Sequence, residues 1–263
     1  LWHIEQNQVR KINLKDDMKG SYLGPEYLQS EIESQLNELG AKYKVLKEEE
    51  VIKNTVNDLT KGKAVGWFQG RMEFGPRALG ARSILADARS SSMQKKLNLK
   101  VKYRESFRPF APSVLREDVS EWFHLNSDSP YMLLVSNVEE KKCIEMDSNQ
   151  KKLFGINQLN VKRSEIPAVT HVDYSARIQT VHQETNPKYY NLLLHFKKGT
   201  GCPVIVNTSF NVRGEPIVNT PEDAFNCFMG TELDALAIGN CYLEKKDQVV
   251  SSKTDYKNKY QLD

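Results

Sequence analysis

The chain has 263 residues, 39% of them hydrophobic and 27% charged, with a formal net charge of +3. That length suffices to bury a sizeable core in one large or two small domains. No apolar run reaches about 18 residues, which excludes a membrane-spanning helix. The four cysteines (Cys143, Cys202, Cys227, Cys241) show no C-x-x-C spacing, which argues against a zinc site and for buried free thiols in a reducing, cytoplasmic compartment.

The charge is unevenly spread. Residues 61–116 hold 13 Lys and Arg against 3 Asp and Glu, and the remainder holds 24 against 31. A basic island interleaved with Gly, Pro and Phe points to a polyanionic ligand: a nucleotide, a phosphate ester or a nucleic acid.

In chain order, Leu1 is not an initiator Met and no signal peptide opens the sequence, so a longer protein is expected. Residues 1–21 lack a clear hydrophobic period and read as a connector. Pro25 to Gly40 predicts a helix, with Tyr27, Leu28, Ile32, Leu36 and Leu39 as its apolar stripe. Tyr43–Leu46 predicts a short strand, Glu48–Leu59 a second helix and Ala64–Phe68 a buried strand. Arg82–Ala86 and Ser113–Leu115 predict strands, Ser90–Val101 and Val119–Phe123 helices, and Tyr131–Val138 a strong strand. Glu139–Glu165 is polar and reads as a surface insertion. Arg177–Val181 predicts a strand, Pro187–Lys198 an amphipathic helix and Pro203–Val206 a buried strand. Thr220 caps a helix opening Pro221-Glu222-Asp223. Leu233–Leu243 is a last apolar strand region, and 246–263 reads as a flexible tail. Strands and helices interleave, so an α/β fold follows.

Two stretches carry chemistry. Gly66–Gly80 holds four glycines with Arg71 and Arg77, and Arg82 follows at once. Glycines let backbone N–H groups approach an anion, and arginines supply charged forks for phosphate or carboxylate. The alternative is a tight turn whose arginines pair with carboxylates. Neither a Walker sequence nor a G-x-G-x-x-G helix opening is present. The second stretch runs from Lys102 to Pro112. Read as extended chain, it puts Lys102 and Arg104 on one face. Asn207-Thr208-Ser209-Phe210-Asn211 ends a strand, where ligands in α/β sheets tend to sit.

Three segments, Gly66–Gly80, Phe107–Pro112 and Val206–Asn211, resemble the carboxy-terminal domain of the O-carbamoyltransferases, among them the nodulation, cephamycin and tobramycin enzymes. The resemblance covers roughly Tyr22 to Lys245. It implies a YrdC-like fold, an open twisted mixed sheet with flanking helices, over 22–245. It also implies a K-x-R and S-x-N nucleotide site, matched by Lys102-Tyr103-Arg104 and Ser209-Phe210-Asn211. The implied reaction uses ATP, with Mg²⁺, and carbamoyl phosphate to form carbamoyl-adenylate. A separate actin/Hsp70-like amino-terminal domain with its own metal, iron or another, then passes the carbamoyl group to the hydroxyl of a small-molecule acceptor. That domain is not in this sequence.

Adenylate formation needs phosphate charge neutralised and groups held in line. Lys102, Arg104 and Arg77 are the catalytic candidates, and Arg71, Arg82, Arg108, Ser209 and Asn211 join them as nucleotide or phosphate ligands. Glu73, Thr170, His171, Asp173, Asn207 and Arg213 rank behind these. For Arg213, beside Gly214 and Glu215, ligand contact and a structural ion pair weigh equally. No dedicated metal set and no membrane partner are expected in this chain, and Pro167–Gln179 reads on composition as a lid. A nucleic-acid module is the alternative from another class, with Trp67, Phe107 and Phe110 available for stacking. These three sit in apolar runs and read as core. A non-catalytic docking domain is the third reading.

Overall fold

A computed structural model describes residues 16–249, 256, 259 and 260. Most of the expected connector therefore lies outside the described residues. The elements in chain order are α1 (Gln29–Glu38), β1 (Lys44–Val45), α2 (Glu48–Thr60), β2 (Val65–Phe68), β3 (Arg82–Asp87) and α3 (Met93–Lys100). There follow β4 (Ala111–Leu115), α4 (Val119–Trp122), β5 (Leu134–Asn137), α5 (Ile156–Leu159), β6 (Ser175–Val181) and α6 (Pro187–Thr200). The last are β7 (Val204–Ser209), α7 (Pro221–Gly230), β8 (Ala235–Ile238) and β9 (Cys241–Glu244).

The strands form one nine-stranded sheet in the order β1-β9-β8-β2-β3-β7-β4-β6-β5. Only β2–β8 and β4–β6 are parallel; the other pairs are antiparallel. Helix pairs α2 with α6 and α1 with α7 pack together. β2, β3, β4 and β8 are buried at every residue, so the centre of the sheet is covered on both faces. This is the open mixed sheet with flanking helices that was expected.

Local chemistry sets the ends. Asn186 accepts the N–H of Tyr189 at 3.1 Å with Pro187 behind it, and Gly201 stops α6 at φ +74°. Thr220 and Asp223 exchange side-chain and backbone bonds at 3.0 and 2.9 Å at the start of α7.

Several expectations shift. α1 starts at Gln29 rather than Pro25, because the Pro25 carbonyl is taken by the N–H of Met72 at 2.9 Å and by Arg82. The region 233–243 is two strands, not one, turned at Gly239 (φ +53°). The strong strand expected over Tyr131–Val138 shortens to β5, an exposed sheet edge. Met132 sits before it in the left-handed region at φ +54°. In the expected flexible tail, Tyr256 is buried.

Candidate functional site

The Lys102–Arg104 and Ser209–Asn211 motifs, 107 residues apart at Lys102 and Ser209, meet in one place. Lys102 Nζ donates to Asn211 Oδ1 at 2.7 Å, Asn211 O at 3.0 Å and Ser209 Oγ at 3.1 Å. β7 carries Ser209 to the sheet end, and α3 delivers Lys102 two residues past its last turn. The two motif residues do not share a face by strand alternation. Tyr103, between them, has φ +49°, and this left-handed turn aims both neighbours into the same cleft. Arg104 is held by Asn98, whose Oδ1 accepts from its Nε at 2.7 Å, and its guanidinium lies 5.0 Å from the Phe110 ring centre.

The cleft has a volume of about 350 Å³ and is lined by Lys102, Arg104, Arg108, Ser209, Asn211 and the loop from Val212 to Pro216. Burial, then the Arg104 charge, pull the Lys102 ammonium down to about 7. Burial, then Arg108, bring Arg104 to about 10, so it stays charged at neutral pH. At the rim, Glu105 bridges two cations, accepting from Arg108 at 3.2 Å and Arg213 at 3.0 Å. Arg213 thus both lines the cleft and forms an ion pair. Several positive groups and two small polar side chains converging on one polar concavity suit a phosphate ester.

The Gly-rich loop spends its arginines elsewhere. Arg82 is fully buried. It lies 3.5 Å from the Phe68 ring centre and donates to the carbonyls of Gln69, Gly70 and Ala81 at 3.1–3.2 Å and of Pro25 at 3.3 Å. It braces the loop and does not line the cleft. Arg71 reaches Gly24 O at 2.9 Å and Glu26 at 3.2 Å on the surface. Glu73 is buried, and one carboxylate oxygen accepts the N–H groups of Leu79, Ala81 and Arg82 at 2.7, 2.7 and 3.2 Å. That carboxylate anchors the turn and is not presented to a metal. Gly80, at φ +105°, packs under Tyr189, where a Cβ would lie 2.3 Å from the ring.

The Nε atoms of Arg77, of Arg82 and, on β6, of Arg177 are all buried without a hydrogen-bond partner. Burial, then the Arg77 charge, pull Arg177 below the usual arginine range. Asn207, also buried, gives its Nδ2 to Ala78 O at 3.1 Å and Gln179 at 2.8 Å, and its Oδ1 has no partner. Unpaired buried polar atoms are costly unless something else meets them. Arg177 escapes sequence reading because it lies in a strand with no motif around it.

The weaker candidates separate. Thr170, His171 and Asp173 line a second cleft of about 460 Å³ with Phe107, Pro109 and Val172, beyond the 107–109 segment. Thr170 Oγ1 is engaged by Ile166 O and Ser164, His171 Nδ1 meets Ser175 Oγ at 3.0 Å, and Asp173 accepts from Ser175 at 2.7 Å. Burial pulls His171 down, with Arg177 and Arg163 adding to it and Asp173 opposing. Trp67 and Phe110 are core, but Phe107 is exposed, contrary to expectation. A larger cleft of about 700 Å³ carries Asp16, Asp128 and Glu184 with Lys19 and His182, the wrong charge balance for a phosphate ester. Among the described residues no helix is long and apolar enough to cross a membrane, and no group of three His, Cys, Asp or Glu could hold a metal.

Residues 56–245 match the family described as the carbamoyltransferase C-terminus. An uncharacterized protein of Synechocystis is 54% identical over 94% of this chain and 41% of its own length. The 3'-hydroxymethylcephem-O-carbamoyltransferase of Streptomyces clavuligerus is 37% identical over 71% of this chain and 32% of its own. The crystal structure of full-length HypF in its phosphate- and nucleotide-bound form is 19% identical over 66% of this chain and 19% of that one, with a TM-score of 0.41. The chain thus spans about two fifths or less of the curated relatives named here. By its match over residues 56–245, the chain belongs to the carbamoyltransferase C-terminal family.

Proposed function

We propose that this chain is the adenylate-forming part of an ATP-dependent O-carbamoyltransferase. The observation that carries the reading is the meeting of Lys102, Arg104, Ser209 and Asn211 in one polar cleft. ATP would place its phosphates against Lys102, Arg104 and Arg108. Ser209 and Asn211, now accepting from Lys102, would turn toward phosphate or ribose. Carbamoyl phosphate would meet Arg77 and Arg177, whose buried Nε atoms lack partners, and Asn207 Oδ1 would accept from the carbamoyl NH₂.

In the reaction, water takes the phosphoryl group of carbamoyl phosphate and leaves carbamate. A carbamate oxygen forms a bond to the α-phosphorus, the bond from the α-phosphorus to the oxygen that bridges it to the β-phosphorus breaks, and pyrophosphate leaves with that oxygen and the electron pair. The protein's part is charge neutralisation and in-line positioning, each preorganised donor contributing about 2–4 kcal/mol to the transition state. The carboxylates at the cleft, Glu105 and Glu215, are committed to Arg108, Arg213 and the loop, so they offer no set for Mg²⁺. No step is assigned to that ion. Transfer to a hydroxyl acceptor falls to the part of a longer protein that this chain does not include, the actin/Hsp70-like domain expected from the resemblance.

Pyrophosphate–ATP exchange that depends on carbamoyl phosphate is the test. The chain should exchange label, and Arg104→Ala should abolish it. No detectable ATP binding by calorimetry would overturn the reading. Carbamoylated acceptor formed by this chain alone would overturn the division of labour.

A further inference from the structure

We propose that Tyr256 is a positioning residue that braces both halves of the cleft from behind, through Glu215 on one side and Gly230 on the other. The proposal rests on the nucleotide reading of that cleft only for its binding readout. Tyr256 lies past residue 245, where the family match ends, and it is only 5% exposed.

Its hydroxyl donates to Glu215 Oε1, which also accepts from Tyr260 at 3.0 Å. The other carboxylate oxygen accepts the N–H of Val212 at 2.8 Å, and the Glu215 carbonyl accepts from Asn211 Nδ2 at 2.6 Å. Asn211 is thereby oriented so that its Oδ1 faces Lys102 Nζ and Ser209 Oγ, each at 2.7 Å. A buried tyrosine hydroxyl thus reaches the S-x-N motif through two hydrogen bonds, both made by Glu215.

The second path starts from the ring. It lies so close over Gly230 that a Cβ there would sit 2.1 Å from it. The Gly230 carbonyl accepts from the Tyr103 hydroxyl at 2.8 Å. Tyr103 is the left-handed residue that turns Lys102 and Arg104 into the cleft, a conformation that persists only when its surroundings hold it. The halves are also tied directly, since Arg213 N–H donates to Lys102 O at 3.1 Å. Burial pushes the Tyr256 hydroxyl far above the usual tyrosine range, so it remains a donor at any working pH. A side chain that only filled space would not need its hydroxyl on the carboxylate that orders the ligand loop.

The experiment compares the unmutated chain with Tyr256→Phe, which keeps the ring over Gly230 and removes the donor. ATP affinity by calorimetry and amide exchange at Val212 are both read. Tyr256→Phe should weaken ATP about tenfold, the loss of one hydrogen bond to a charged group, and speed Val212 exchange, with the melting midpoint shifted by only a few degrees. Glu215→Gln keeps one of the two acceptor oxygens and should recover part of the affinity that Glu215→Ala loses, a rescue that simple core disruption would not give. Gly230→Ala, which displaces the ring, should weaken ATP at least as much as Tyr256→Phe. Wild-type affinity and wild-type Val212 exchange in Tyr256→Phe would overturn the proposal. If the unmutated chain binds no ATP, the nucleotide reading fails, and Val212 exchange alone then decides for or against the brace.

Discussion

Arg82 and Lys102 are both buried cations close to the sheet, and they serve opposite ends. Arg82 donates to four backbone carbonyls and lies on Phe68, so its charge is consumed by the loop that carries it. Lys102 donates to the side chains and backbone of Ser209 and Asn211, which face an open cleft and can exchange it for a ligand. Carbonyl oxygens converging in a tight loop accept from a guanidinium much as phosphate oxygens do. Arginine density beside glycine therefore marks a place that needs positive charge, and not by itself a place where a ligand supplies the negative charge.

The largest way to break this contrast is to remove the closed cation. Arg82→Ala should destabilise the fold by about 3 kcal/mol or more, because four carbonyls lose their donor in the core. A urea unfolding midpoint close to the unmutated value would show that the loop does not depend on it. Arg104→Ala should do the reverse, leaving stability within about 1 kcal/mol and weakening ATP by tenfold or more, the loss of a charge-assisted hydrogen bond. Unchanged affinity by calorimetry would remove Arg104 from the site.

Arg77→Lys sharpens the comparison, since Arg77 belongs to the loop, buries its Nε without a partner as Arg82 does, and carries its charge close to Arg177. Lysine retains the charge and loses the fork, so carbamoyl-phosphate-dependent pyrophosphate exchange should fall several-fold with ATP binding unaltered. Full exchange would exclude a bidentate role.

Protonation offers a gentler test. Lys102 is brought to about 7 by burial and by Arg104, so it is charged below that pH and loses its proton above it. Pyrophosphate affinity should decline by a few-fold from pH 6 to 8.5 with proton uptake on binding, and Lys102→Arg should flatten the profile. The stability sign is opposite. Between about 7 and the ordinary lysine value the unfolded chain binds the extra proton, so the contribution of Lys102 to stability rises with pH across that window. The smallest effect belongs to Glu105→Gln. Freeing Arg108 and Arg213 from the bridging carboxylate should tighten pyrophosphate binding by about two- to threefold, as an exposed ion pair is worth little. Weaker binding would mean that Glu105 holds the two arginines in place for the ligand.

Much of the fold was legible because its signals are local. Asn186-Pro187, Gly201 and Thr220-Pro221 mark helix ends through caps that need no tertiary context. The K-x-R and S-x-N residues were legible as motifs, and the structure brings them together. Their convergence in one site was implied by the resemblance alone, and the way it is reached was not legible, because it depends on a left-handed turn at Tyr103 that no propensity assigns to tyrosine. Arg82 was misjudged because its partners, the carbonyls of Pro25 and of the loop, exist only once the chain has folded. Arg177, Asn98 and Tyr256 carry no local mark at all, and each acquires its role from a neighbour distant in sequence.

The parallel pairing of β2 with β8 bears on synthesis. Val65 sits opposite Ala235, and Ala64 and Asp234, bonded beside them, are 170 positions apart in the chain. The antiparallel β2–β3 hairpin can form early on the ribosome, but its outer edge stays unpaired until nearly the whole chain has emerged. Such delayed, non-local closure makes folding slow and leaves a sticky strand edge exposed to other nascent chains. Stalled chains ending at Gly230 should therefore remain protease-sensitive and bind chaperones, while chains extended past Glu244 should not.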